Sequence, residues 1–119
     1  MLARELVTKL ATEAETLGFG SVWRGEGVTA RPRFEPLVTL ATVAGVTDTV
    51  TVGTAVYLPH LRHPVHVGHQ TTTLNLLSGG RLALGIGIGG DSPPDRAERA
   101  HLDVTMGPRG KGSTRRWTS

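Results

Sequence analysis

The residues that could do chemistry in this chain fall into four groups. Gly85, Gly87 and Gly90, in the run GIGIGG, satisfy the G-x-G-x-x-G spacing of a dinucleotide-binding turn after a strand. There the glycines would bring backbone against a pyrophosphate at a helix N-terminus. The context that follows is poor, because Asp91-Ser92-Pro93-Pro94 delays any helix and no later strand offers an acidic ribose ligand. The other reading is a strand with one bare face, against which a flat ring or a bulky neighbour packs. His60, His63, His66 and His69 recur every three residues. His66 and His69 share a helix face, but no Asp, Glu or Cys stands in the stretch to complete a tetrahedral set, so no metal is expected. Glu26 stands where a first strand ends, the place where α/β proteins put their chemistry; it could equally cap the next turn. Arg62 and Arg81 could meet phosphate, although arginines flanking elements are ordinarily solvated. Trp23 reads as core. No residue declares itself a catalyst.

Composition narrows the classes. The chain has 119 residues and a formal charge of +3. Residues 1–99 balance to neutrality, and the excess comes from Arg109, Lys111, Arg115 and Arg116 against Asp103. The basic character thus belongs to the C-terminal end and marks no specific nucleic-acid face; Arg115-Arg116-Trp117 offers at most weak, salt-sensitive affinity. Without cysteine there is no disulfide, thiolate site or cysteine nucleophile. Glycine, at 16 residues, is about twice its usual ~7% share. No apolar run reaches the ~18–20 residues of a membrane span, and the N-terminus lacks a secretory pattern, so a cytoplasmic protein is expected.

The elements that must position these groups alternate. Leu2, Leu6, Leu10, Ala14 and Leu17 make an apolar stripe on a first helix, with Val7 and Ala11 beside it. Gly18 and Gly20 end it. Strands are expected at 21–26, 49–57 and 81–89, and further helices at 34–44 and 64–77, with Thr29–Arg33 a loop. On the last strand Leu82, Leu84, Ile86 and Ile88 share one face, and Ala83, Gly85, Gly87 and Gly89 the other. Strand starts near 21, 49 and 81 fit a (β/α) repeat, since an eightfold barrel of ~250 residues divides into units of ~31. An open doubly wound sheet fits almost as well. Residues 91–100 have the composition for one or two polar helical turns, and 101–119 read as a basic, disordered tail.

The segments LGFGSVWRGEGVTARPRFEPLVTLATVAGVTDTVTVGTAV (17–56) and RHPVHVGHQTTTLNLLSGGRLALGIGIGGD (62–91) resemble the luciferase-like monooxygenase family of flavin- and deazaflavin-dependent oxidoreductases. The likeness spans about residues 3–110. Its most specific parts are Arg62-His63-Pro64 and Leu77-Ser78-Gly79-Gly80-Arg81-Leu82 leading into Leu84-Gly85-Ile86-Gly87. The resemblance implies a partial (β/α)8 TIM barrel of about three β/α units with parallel strands, over residues 1–100. These would be the family's strands two to four, an N-terminal fragment with little competence alone.

It further implies reduced FMN or 8-hydroxy-5-deazaflavin as cofactor and a small-molecule substrate, in a reaction using molecular oxygen or hydride transfer. Glu26 corresponds to an acidic residue beside the cofactor. Ala55, Val56 and Leu58 match a bulged strand end under the ring, and Ile88 and Gly89 the end of the next strand. The departures are Gly27, where a histidine often follows the acid, and Gly90, where some deazaflavin members carry glutamate and Asp91 is the nearest substitute. Open sheet edges would favour self-association. The alternative is a nucleotide-binding α/β module using Gly85–Gly90.

Overall fold

A computed structural model describes residues 2–27, 33–106 and 113–115. Helix α1 (Ala3–Thr16) leads to strand β1 (Ser21–Arg24), α2 (Pro36–Val46) to β2 (Thr51–Tyr57), and α3 (Pro64–Leu77) to β3 (Leu82–Ile86). A 3-10 turn, Pro59–Leu61, joins β2 to α3. Helix α4 (Pro93–His101) and two short strands, β4 (Val104–Met106) and β5 (Ser113–Arg115), follow. The three long strands form one parallel sheet in the order β1-β2-β3. Parallel neighbours require a crossover, and each crossover here is a helix, as the residue spacing dictates.

The helix boundaries have local causes. Gly18 takes a left-handed φ of +87° after α1, a conformation only glycine adopts without strain. Pro36 and Pro64 stand in the first turns of α2 and α3, where the missing N–H costs nothing. Glu35 caps α2 by accepting from the Val38 N–H at 2.6 Å, and His63 Nδ1 accepts from the Val65 N–H at 3.1 Å to cap α3.

The core lies between the sheet and its helices. Leu40, Val52 and Tyr57 are fully buried there, with Ala11, Leu37, Val43 and Leu74 around them. Each buried leucine or valine there contributes about 1.5–3 kcal/mol. Val52 pairs with Leu82, which packs on the same core, so Gly53 and its partner Ala83 face the opposite side of the sheet. Leu84 and Ile86, on the helix-facing side, remain 40% and 63% exposed. Strands β1 and β3 each keep one edge unpaired among the described residues.

Two expectations change. On α1 the seam against α2 runs through Val7 and buried Ala11, while Leu2, Leu6, Leu10 and Leu17 are exposed. The small residue meets α2 because helices approach most closely where side chains are short. Residue 101, where the tail is expected to start, is the last residue of α4, and β4 pairs antiparallel with β5, Val104 opposite Arg115. Residues 29–32 of the expected Thr29–Arg33 loop, and residues 107–112 and 116–119 of the tail with its Arg116-Trp117 pair, lie outside the described residues. No helix among the described residues is long and apolar enough to cross a membrane.

Candidate functional site

Because the strands are parallel, their C-terminal ends gather at one side of the sheet. Three segments meet there: Gly25–Gly27 after β1, the end of β2 with Leu58, and Gly87–Gly89 after β3. The β2 end is bulged: Thr54 pairs with Leu84 but the next partner pair is Tyr57 with Ile86, so β2 carries one extra residue. The Ala55–Val56 peptide within the bulge is cis. Ala55 and Val56 are exposed there, and Leu58 is half-buried.

The glycines of the last strand lie against this bulge. Gly87 donates its N–H to the Tyr57 carbonyl at 3.0 Å, and Thr54 Oγ1 donates to the Gly85 carbonyl at 2.8 Å. A methyl group on Gly87 would stand 2.9 Å from Val56 Cγ2, and one on Gly89 would stand 3.3 Å from Leu58 Cδ1. Gly89 also holds φ at +76°. The result is a shallow surface of bare backbone walled by Val56 and Leu58. On the same side of the sheet the Trp23 ring lies against Gly53, where any Cβ would collide with it. Trp23 is therefore no core residue: it is 50% exposed, and its indole N–H donates to Ser21 Oγ at 2.8 Å.

Glu26 is buried beside this surface, its side chain 3% exposed. Its Oε1 stands 2.6 Å from Arg62 Nη1, and Oε2 has no donor among the described residues. Burial pushes the carboxyl above the usual carboxylate range, and the Arg62 guanidinium, pulling the other way, does not offset it. Arg62 also lies 4.3 Å from the centre of the Tyr57 ring, and its Nη2 donates to Glu35 Oε1 at 3.2 Å. Burial likewise raises the Tyr57 phenol, whose oxygen has no partner among the described residues. Two carboxylates thus share one guanidinium, and two buried polar atoms retain capacity for a ligand.

The other candidates go elsewhere. His63, His66 and His69 line a groove of about 900 Å³ between α2 and α3, together with Leu61, Val38 and Leu74. The His63 and His66 rings meet edge-on with centres 5.9 Å apart. No group of three or more metal-ligating side chains comes together among the described residues. Arg81 is half-buried at the opposite end of the sheet and bonds backbone carbonyls, so it is neither solvated nor free for phosphate. Asp91 pairs with Arg99 at 2.8 Å and Arg96 at 3.6 Å.

The turn at Gly85–Gly90 does not open a helix N-terminus to an anion. Ser92 caps α4, and the buried Asp95 accepts from the Ser92 N–H at 3.1 Å. A side chain on Gly90 would strike that carboxylate. Arg62, Glu35 and Tyr57 were not singled out as one cluster by the sequence. The Arg62-His63-Pro64 motif was the available signal for the arginine, and the Glu35-Pro36 pair marked only a helix start.

Comparison with known proteins agrees with this architecture. The luciferase-like monooxygenase family model matches residues 3–105. The monooxygenase RslO1 from Streptomyces bottropensis superposes with a TM-score of 0.72 at 28% identity, over 87% of this chain and 31% of that one. The oxygenating constituent of 3,6-diketocamphane monooxygenase from Pseudomonas putida, solved with FMN, gives 0.69 at 21% identity over 80% and 27%. The coenzyme F420-dependent tetrahydromethanopterin reductase from Methanopyrus kandleri gives 0.68 at 24%, over 85% and 27%. The chain therefore spans under a third of the length of these structures, and its three parallel β/α units are part of their TIM barrel. With the family model matched over nearly all of α1 to β4, this chain belongs to the luciferase-like monooxygenase family.

Proposed function

We propose that this chain supplies the ring-binding part of a flavin- or deazaflavin-dependent oxidoreductase acting on a small-molecule substrate. The observation that carries the reading is the glycine-backed surface at the ends of β2 and β3, bordered by a buried carboxylate with one unpartnered oxygen. Val56, Leu58 and the backbone at Gly87–Gly89 suit one face of a planar ring. Glu26 Oε2 suits a polar edge of it, as an acceptor when ionised or a donor when protonated. FMN and coenzyme F420, named with two of the similar structures, both present such a ring. When bound, the cofactor supplies the hydride or the reducing electrons for oxygen chemistry; the protein binds, orients and excludes water. Asp91, held by Arg96 and Arg99, is not aimed at this role. The nucleotide-binding alternative gains nothing from the geometry, since Ser92 and Asp95 already close the α4 N-terminus.

Amide NMR of the full chain during titration with FMN tests the proposal. Shifts concentrated at Glu26, Ala55–Leu58 and Gly87–Gly89 are expected. A folded chain whose spectrum ignores FMN and reduced deazaflavin alike would sink it.

A further inference from the structure

We infer that Arg62 is a positioning residue, pinning the Glu26 carboxylate and the Leu58 peptide as one rigid unit beneath the bound ring; this rests on the ring-binding reading above. The guanidinium gathers three chain segments. Nη1 stands 2.6 Å from Glu26 Oε1 after β1 and donates at 3.1 Å to the Leu58 carbonyl after β2. Nη2 donates to Glu35 Oε1, at the start of α2, at 3.2 Å. The plane stacks on Tyr57, 4.3 Å from the ring centre, and the side chain is 17% exposed. An arginine solvated at an element end would show none of this convergence.

The consequences for the ligand surface follow from what each partner does. Without Arg62, a carboxylate 3% exposed loses its counter-charge, so it must take up a proton or turn towards water. Without Arg62 the Leu58 carbonyl keeps only the Leu61 N–H, at 3.2 Å, and the seat of its side chain over Gly87 and Gly89 loosens. Lysine cannot substitute: a point charge has no fork to serve Glu26 and Glu35 together, and no plane to stack on Tyr57. Arg62 itself need not touch the ring.

The test compares the full-length wild type with Arg62→Gln, Arg62→Lys and, as a destabilised control remote from the site, Val43→Ala. Fluorescence titration with FMN gives affinity, urea unfolding gives stability, and ligand-free amide spectra give local geometry. Expected is at least a tenfold loss of FMN affinity in Arg62→Gln and at least a threefold loss in Arg62→Lys. Ligand-free shifts should concentrate at residues 26, 55–58 and 87–89, and Val43→Ala should lose stability while keeping affinity within twofold. Wild-type affinity in both Arg62 variants would overturn the inference, as would a loss no larger than the control shows for equal destabilisation. A wild type that ignores FMN and reduced deazaflavin alike defeats the ring-binding reading instead. The ligand-free spectra then decide the positioning alone, and undisturbed strand ends in Arg62→Gln would overturn it.

Discussion

The two ends of the parallel sheet treat their charged residues in opposite ways. At the N-terminal end of the strands, Glu15 from α1 accepts the backbone N–H groups of Asp48, Thr49 and Val50 at 2.8–3.1 Å. Arg81 there donates to the carbonyls of Ala44, Thr47, Val50 and Ser78 and to Thr47 Oγ1. Donors and acceptors are used up, and the bonds fasten α2 and the strand entries together. At the C-terminal end, Glu26 and Glu35 divide one guanidinium, and Glu26 Oε2 and the Tyr57 hydroxyl stay unpartnered among the described residues. A saturated end builds stability; an end that leaves buried polar capacity gives up stability for a ligand. The same side-chain types thus serve structure at one end and recognition at the other.

The comparison breaks most easily at Arg81. Replacing it with methionine leaves up to four carbonyls without their donor, and a loss of roughly 3–5 kcal/mol in urea unfolding is expected. FMN affinity of the remaining folded protein should hold, because none of these bonds reaches the glycine surface. A variant that unfolds no sooner would mean that water serves those carbonyls as well as Arg81 does. Gly87→Val is the counterpart at the other end. Its branches would press on Val56, whose Cγ2 lies 2.9 Å from a Cβ placed there. At least a tenfold loss of FMN affinity is expected, about 1.4 kcal/mol, with a smaller loss of stability since Val56 is exposed and can turn away. Affinity that survives valine would show that the ring does not rest on this strand end.

Much of this division was legible in the sequence. The (β/α) order follows from three strand-like runs at barrel spacing, and each observed helix core falls within two residues of its expected span. The bare face of β3 follows from the glycine alternation. What was not legible depends on long-range placement. Glu26 and Arg62 lie 36 residues apart, and no local periodicity joins them. Trp23 has the composition of a core residue, but its register partner is Gly53, on the face away from the helices. The Leu2, Leu6, Leu10 and Leu17 stripe predicts the wrong seam on α1, because hydrophobicity alone does not say that short side chains take the closest approach. Arg81 looks like a solvated end until its carbonyl partners from α2 and β2 are in place.

Two carboxylates sharpen the comparison through pH. Glu15, held chiefly by the Thr49 N–H with those of Val50 and Asp48, titrates at about 2 against 4.5 unfolded. A depressed carboxylate contributes stability above pH 4.5 that is lost as the pH falls towards 2. The urea midpoint of wild type should therefore drop over that interval, and Glu15→Gln should flatten the drop.

Glu26 should give the smaller effect, with the opposite sign. Its folded-state pKa is raised by burial, so the folded chain keeps its proton where the unfolded chain has already released one. Stability from this group is full below pH 4.5 and is lost as the pH rises through the folded value. Glu26→Gln keeps the shape without the charge and should remove this decline. The gain at neutral pH is limited because Arg62 then retains Glu35 alone as its carboxylate partner. FMN titrated at each pH gives the sharper reading. If a ring donor engages Glu26 Oε2, the ligand favours the ionised carboxylate, so wild-type affinity should rise with pH over the same interval while that of Glu26→Gln stays level. A wild-type affinity that is flat with pH, alongside an unchanged Glu26→Gln, would place the ring away from this carboxylate and leave the orphaned oxygen without its purpose.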